Sequence, residues 1–280
     1  MNPREADHRL GILLVCASAV PFSLAGIFTR LIGTEIGTVL VWRALIGGAI
    51  ILLYARRQER GRPMGWQGWL MVLVGGLASV AFIAAFRMTY VANVTLIYAM
   101  SPFAAAALDR MIRGVRPDGA LLRAAVLSVL GVTLIFAGGF GGVSWGGDLM
   151  AGLMMGLFAL YIVLIRAFPD APALTAAAWS GLLPMAAGLA LGVEILPGAR
   201  DVFWLVAFGL SFAVAVILFT EGARRVSAAE AGFYGGLEVP LAVLFAWVVL
   251  AETPPATTLA GGALIVGALV WHGAGALKRA

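Results

Sequence analysis

The side chains able to do chemistry in this 280-residue chain are few, and their spacing suits recognition better than bond-breaking. Its two histidines, His8 and His272, stand near opposite ends of the sequence, which leaves no His-based triad or His-rich metal site for its middle. No His-Glu-x-x-His occurs. Cys16, the single cysteine, lies inside an apolar run and reads as a small buried hydrophobe with no disulfide partner. The one lysine is Lys278, so no Gly-x4-Gly-Lys-Ser/Thr phosphate loop is present to drive an ATP-powered pump. The Gly-rich stretch 138–147 follows an apolar run and reads as a connector. No catalytic residue, metal or cofactor is expected.

What remains are polar and aromatic groups embedded in long apolar runs. Such groups are costly in hydrocarbon and are therefore candidates for function. Glu238 stands two residues before Pro240. Its carboxylate suits a substrate ammonium group or a carried proton; the structural alternative is that it accepts hydrogen bonds from backbone loosened by Pro240. Asn93, Thr95, Tyr98 and Ser101 stand in one run, where residues 98, 101 and 94/95 share a helical face and give a polar, aromatic stripe; Tyr234 and Glu238, four residues apart, form the matching face of a second run. Phe22 with Ser23, and Phe158 with Tyr161, supply aromatic groups in two further runs, where packing is the alternative role. Arg43 reads first as a snorkelling or ion-paired arginine. Pro102 and Pro240 are candidate hinges. Gly152/Gly156 and Gly232/Gly236 have the small-xxx-small spacing that allows close helix contact.

The elements that must position these residues follow from composition. The chain is 62% hydrophobic and 12% charged, with a mean hydropathy of +0.99; a soluble domain has roughly 45–50% apolar and about 25% charged residues. Apolar runs long enough to cross a bilayer core fall near 10–31, 36–54, 68–87, 91–109, 120–140, 149–167, 173–193, 202–220, 228–250 and 256–273. The first starts like a signal peptide, with Ala17-Ser18-Ala19 after Arg9, but continues unbroken to Ile32 and is taken as a span.

The net charge of +5 does not imply nucleic-acid binding, because the cations sit in short clusters between spans. If residue 1 is cytoplasmic, the inside segments hold Arg4, Arg9, the 56–62 cluster, the 110–123 cluster, Arg166, Arg224, Arg225, Lys278 and Arg279. The outside segments hold Arg30, Arg87 and Arg200. By the positive-inside rule both termini are expected in the cytoplasm. Trp66, Trp69, Trp145, Trp204 and Trp271 fall at span ends, as interfacial rings do.

The halves are related. Residues 85–117 align with 223–255 without a gap, placing Arg87 on Arg225, Thr89 on Ser227, Pro102 on Pro240 and Pro117 on Pro255. Phe22 to Arg30 likewise matches Phe158 to Arg166. Five spans is an odd number, so the second half must run in the opposite sense, and the basic loop at 110–116 matches a segment that has lost every arginine. Inverted repeats of this kind characterise secondary transporters. The expected fold is an all-α polytopic membrane protein of ten transmembrane helices in two inverted five-helix repeats, 10–140 and 149–275.

Arg87-Met-Thr-Tyr-Val-Ala-Asn93 through Ser101-Pro102, Arg224-Arg225-Val-Ser-Ala-Ala-Glu230 through Glu238-Val-Pro240, and Ala159-Leu-Tyr161 through Arg166 resemble the drug/metabolite transporter superfamily of ten-helix EamA-type exporters. The resemblance spans residues 10–275 and is nearest to exporters of amino acids, aromatic ones included. It departs from the family at Arg110–Arg116, where the usual acidic end of the fourth helix is missing. It implies that spans 1, 3, 4, 6, 8 and 9 surround a central cavity. It further implies export of amino acids or related metabolites by alternating access, from a bacterial-type inner membrane, by a monomer or weak oligomer in the lipid bilayer. The alternatives are a carrier of nucleotide sugars or drug-like cations, and a membrane-embedded enzyme or assembly subunit.

Overall fold

In a computed structural model the chain is described over residues 3–89, 94, 97–136, 145–193, 197–250 and 256–279. Asn93 and Thr95 therefore lie outside the described residues. Every regular element among those described is helical: α1 (Pro3–Ser23), α2 (Ala25–Leu31), α3 (Ile36–Gln58), α4 (Gly65–Met88), α5 (Ser101–Arg113), α6 (Gly119–Phe136), α7 (Trp145–Ala167), α8 (Ala173–Ser180), α9 (Leu182–Leu191), α10 (Ala199–Ala223), α11 (Ala228–Gly235), α12 (Glu238–Leu250) and α13 (Ala256–Arg279). Helix is the form in which a single segment satisfies its own backbone in hydrocarbon.

The segments α1–α2, α8–α9 and α11–α12 are each one crossing interrupted by a residue or two, and Ile97–Tyr98 lead into α5, which makes ten crossings. Among the described residues six stretches are individually long and apolar enough to span, including Gly37–Gln58, Trp145–Ala167 and Ala199–Ala223. Large apolar side chains such as Leu53, Leu210 and Val270 are exposed on the outside of the bundle, where lipid rather than water is the fitting solvent.

The second half enters upside down. The first span begins with Asp7 and His8 against Arg225 and Glu230, whereas the sixth begins with Asp148 accepting a 2.7 Å hydrogen bond from Thr89 at the other end of the bundle. Packing repeats under exchange of halves: the first span lies on the eighth as the sixth lies on the third, and the first crosses the ninth as the sixth crosses the fourth. Small residues allow the closest approaches. A Cβ on Gly11 would come 2.6 Å from Arg225 Cβ and 2.8 Å from Val226, and one on Gly147 would come 2.5 Å from Thr89 Cβ and 2.6 Å from Met88. These are corresponding positions of the repeat. The protein is thus an all-α polytopic membrane protein of ten helices in two inverted repeats.

Pro102 and Pro240 do not interrupt helices from within. The fourth span turns at Ala99–Met100 and the ninth at Gly236–Leu237, and each proline sits in the first turn of the half-helix that follows. There the missing N–H is one that the helix would leave unpaired in any case. Both spans are discontinuous at matching depths, and they cross where Gly232 on α11 meets Ser101 and Pro102. Gly152 and Gly156 differ from expectation: a Cβ on either would meet nothing within 4 Å, so they mark open space rather than helix contact.

Candidate functional site

Four aromatic rings from four spans form a continuous wall between the halves. Tyr98 lies 5.5 Å from Phe158, Phe158 lies 5.4 Å from Phe219, and Phe219 lies 6.3 Å from Phe22, centroid to centroid. Spacings of this size with tilted or edge-on planes are those that ring quadrupoles favour. Phe219 is buried on α10, while Phe22, Tyr98 and Phe158 keep part of their surface uncovered.

Glu238 opens α12, directly after the Gly236–Leu237 turn, and lies within electrostatic reach of the Tyr98 side chain. A carboxylate in the first turn of a helix is stabilised by the unpaired N–H groups there. Glu238 makes no hydrogen bond or ion pair with the described residues, although it too is only partly covered.

The remaining expected site residues go elsewhere. Tyr234 is buried, and its hydroxyl lies 2.8 Å from His272 Nδ1. The turn after Gly235 breaks the four-residue register that placed Tyr234 with Glu238. Tyr161 is buried and donates to the Ala173 carbonyl at 3.3 Å, packing the sixth span on the seventh. Ser23 is buried with its hydroxyl on the Val20 carbonyl of its own helix at 2.7 Å. Ser101 is buried where α5 crosses α11. Arg43 has no acidic partner among the described residues; its guanidinium lies over Phe212, 4.7 Å from the centroid, and 5.8 Å from that of Phe208.

A polar network closes one end of the bundle and was not foreseen. Glu59, at the end of the second span, accepts from the Leu174 and Thr175 N–H groups at 2.9 Å each and from the Thr175 hydroxyl at 2.7 Å, and it pairs with Arg224. Arg166 donates to the Arg224 carbonyl. Arg225 pairs with Asp7 at 3.1 Å and with Glu221 at 2.7 Å. Ser227 and Glu230 form a capping box at the start of α11, and His8 Nε2 lies 3.1 Å from Glu230. The hydrogen bond to Glu230 raises the His8 pKa above its ordinary 6.5. The Ser-x-x-Glu spacing at 227–230 was a readable signal for the cap; the partners of Glu59 and His8 had none.

The network draws on both halves, and the arginine clusters sit at its end. At the opposite end the described residues join the halves through Gly33 N–H to Asp201 at 3.0 Å, with Gly37 against Gly188 and Gly192. A cavity of about 210 Å³ opens at the basic end, lined in part by Asp109, Arg116, Asp118, Ser227 and Glu230.

Comparison with known proteins agrees with this architecture. A solved crystal structure of a protein superposes with a TM-score of 0.78 over 92% of this chain and 96% of its own, at 20% identity, a likeness of fold alone. Curated protein sequences give no match. The profile of the EamA-like transporter family matches twice, at residues 9–137 and 145–272. With the repeat, the discontinuous helices and nearly the whole chain accounted for, this protein belongs to the EamA-like transporter family.

Proposed function

We propose that this membrane transporter is a secondary carrier that exports amino acids or related small metabolites by alternating access, as a single chain whose halves rock about the space between them. The observation that carries this reading is the wall Phe22–Phe219–Phe158–Tyr98, with Glu238, which has no partner among the described residues, within electrostatic reach of its Tyr98 end. An amino acid offers an ammonium group for the carboxylate and an apolar side chain for the rings. Substrate sites in such carriers lie near the bilayer midplane beside broken helices, as the fourth and ninth spans are here. By the positive-inside rule the basic end, which holds the start of α1, faces the cytoplasm of a bacterial-type inner membrane. In that orientation the network around Glu59, Arg224 and Glu230 closes the cytoplasmic side.

The test is solute counterflow in proteoliposomes holding only this protein. Liposomes loaded with unlabelled phenylalanine or leucine should accumulate the labelled form without ATP. Accumulation that needs ATP, or none with any amino acid, would overturn the reading. One observation favours a second reading, a carrier of organic cations: Arg43, a natural partner for a carboxylate, lies over Phe212 and Phe208 instead of beside Glu238. Competition of labelled leucine flux by tetraphenylphosphonium separates the two.

A further inference from the structure

His272, near the end of the chain, is 6% exposed and held between two other titratable groups. Its Nδ1 lies 2.8 Å from the Tyr234 hydroxyl, and its Nε2 lies 3.8 Å from Asp118 Oδ2. Asp118 precedes α6 and caps it, accepting from the Ala120 N–H at 3.0 Å, and its side chain is 49% exposed. It also lines the cavity at the basic end, whose volume of about 210 Å³ has room for several waters. Water therefore reaches Asp118, Asp118 stands beside His272, and His272 leads to the buried Tyr234, two residues before the Gly236–Leu237 interruption of the ninth span.

Other groups face this trio: the Cys16 thiol on α1 lies within electrostatic reach of Tyr234. The Phe233 ring packs edge-on against His272 at 5.5 Å. On α11 the other ionisable side chain, Glu230, is occupied by His8 and Ser227. Along α6 the only ionisable side chain is Arg123, and along α12 it is Glu238. We propose that Asp118, His272 and Tyr234 form a proton-binding site of this transporter, loaded from the basic end through the adjoining cavity.

The chemistry follows from the two ring nitrogens. In the neutral ring the Asp118 carboxylate favours the hydrogen on Nε2, so Nδ1 accepts from the Tyr234 hydroxyl. A proton arriving from cavity water converts Nδ1 into a donor. The Tyr234 oxygen must then accept, and its own hydrogen turns to another partner. One proton is gained, no bond other than N–H and hydrogen bonds changes, and Asp118 balances the new charge. Because Tyr234 stands in the last turn of α11, the reversal is delivered at the end of the half-helix that leads into the break of the ninth span. The site thus supplies a coupling proton to the carrier proposed above. Proton binding itself requires no solute, so it can be tested apart from that reading.

With two histidines in the chain, imidazole 15N NMR of the full-length protein in detergent reports His272 alone once His8 is replaced by Asn. His272 should titrate between pH 5 and 8. In Asp118→Asn the protonated form should be lost at a pH lower by about half a unit or more, as removal of a nearby carboxylate requires. Tyr234→Phe should also move the midpoint. A pH step applied to proteoliposomes on a solid-supported membrane, with no solute present, should displace charge in the parent and at least tenfold less in His272→Gln. A His272 that stays neutral throughout, or that titrates identically in Asp118→Asn and Tyr234→Phe, is a packing residue and ends the proposal. If the proton signals are as expected while amino-acid counterflow fails, the proton site stands and only the substrate reading falls.

Discussion

The guanidinium of Arg224, between the eighth and ninth spans, lies against the carboxylate of Glu59 at the end of the second. Glu59 is 4% exposed and also holds the start of α8 through the Leu174 and Thr175 N–H groups. Residues far apart in sequence and from opposite halves thus share one buried charge pair, at the end of the bundle where the arginines gather.

Removing the cation strands that carboxylate. Loss of one partner of a buried pair costs roughly 3–5 kcal/mol, and Arg224, being 20% exposed, should fall at or below the lower limit. Arg224→Ala should therefore lower the thermal unfolding midpoint in detergent by several degrees, whereas Arg56→Ala, at an exposed position, should not. Equal midpoints for the two variants would show that the pair carries no stability.

The His8–Glu230 contact predicts a pH dependence. The folded-state pKa of His8 is raised, so the folded protein binds more protons than the unfolded chain between 6.5 and that raised value. The contribution is therefore fully present below pH 6.5 and lost as pH rises through the folded pKa. The difference in unfolding midpoint between parent and His8→Ala should be larger at pH 6 than at pH 9. A difference that grows with pH contradicts this assignment.

Glu238→Gln keeps the shape and removes the charge. Loss of a charge-assisted contact to an ammonium group is worth about 1.5–3 kcal/mol, and ~1.4 kcal/mol is a factor of ten. Leucine counterflow should fall roughly tenfold or more with normal membrane expression. A parental rate from pH 5 to 8 removes Glu238 from both substrate binding and proton carriage.

Tyr98→Ala opens the end of the aromatic wall at Phe158. Phenylalanine transport should weaken more than alanine transport, measured as the ratio of the two counterflow rates against the parent. An unchanged ratio places the substrate away from this wall.

In a Cys16→Ala background, single cysteines at Arg60 and Arg116 should resist an impermeant thiol reagent in intact cells, and one at Gly198 should react. All three positions are exposed. Labelling at position 116 from outside reverses the proposed orientation.

The sequence by itself determined the crossings, because hydrocarbon demands a helix wherever an apolar run spans the bilayer. It also carried the repeat, through pairs such as Pro102 with Pro240 and Phe22 with Phe158, and it held Phe22, Tyr98, Phe158 and Glu238 as candidates. What periodicity misplaced was Tyr234. A four-residue spacing puts two side chains on one face only while the helix is continuous, and the turn at Gly236–Leu237 ends that condition. Phe219 had no counterpart in the repeat, since the matching position is Ala81, and only the packing of α10 against α7 and α1 inserts it into the wall. The pairings of His272 with Tyr234, His8 with Glu230 and Glu59 with Arg224 join residues 38, 222 and 165 positions apart. No local rule relates such residues; they meet because burial leaves a polar group no partner except the one that tertiary packing brings to it.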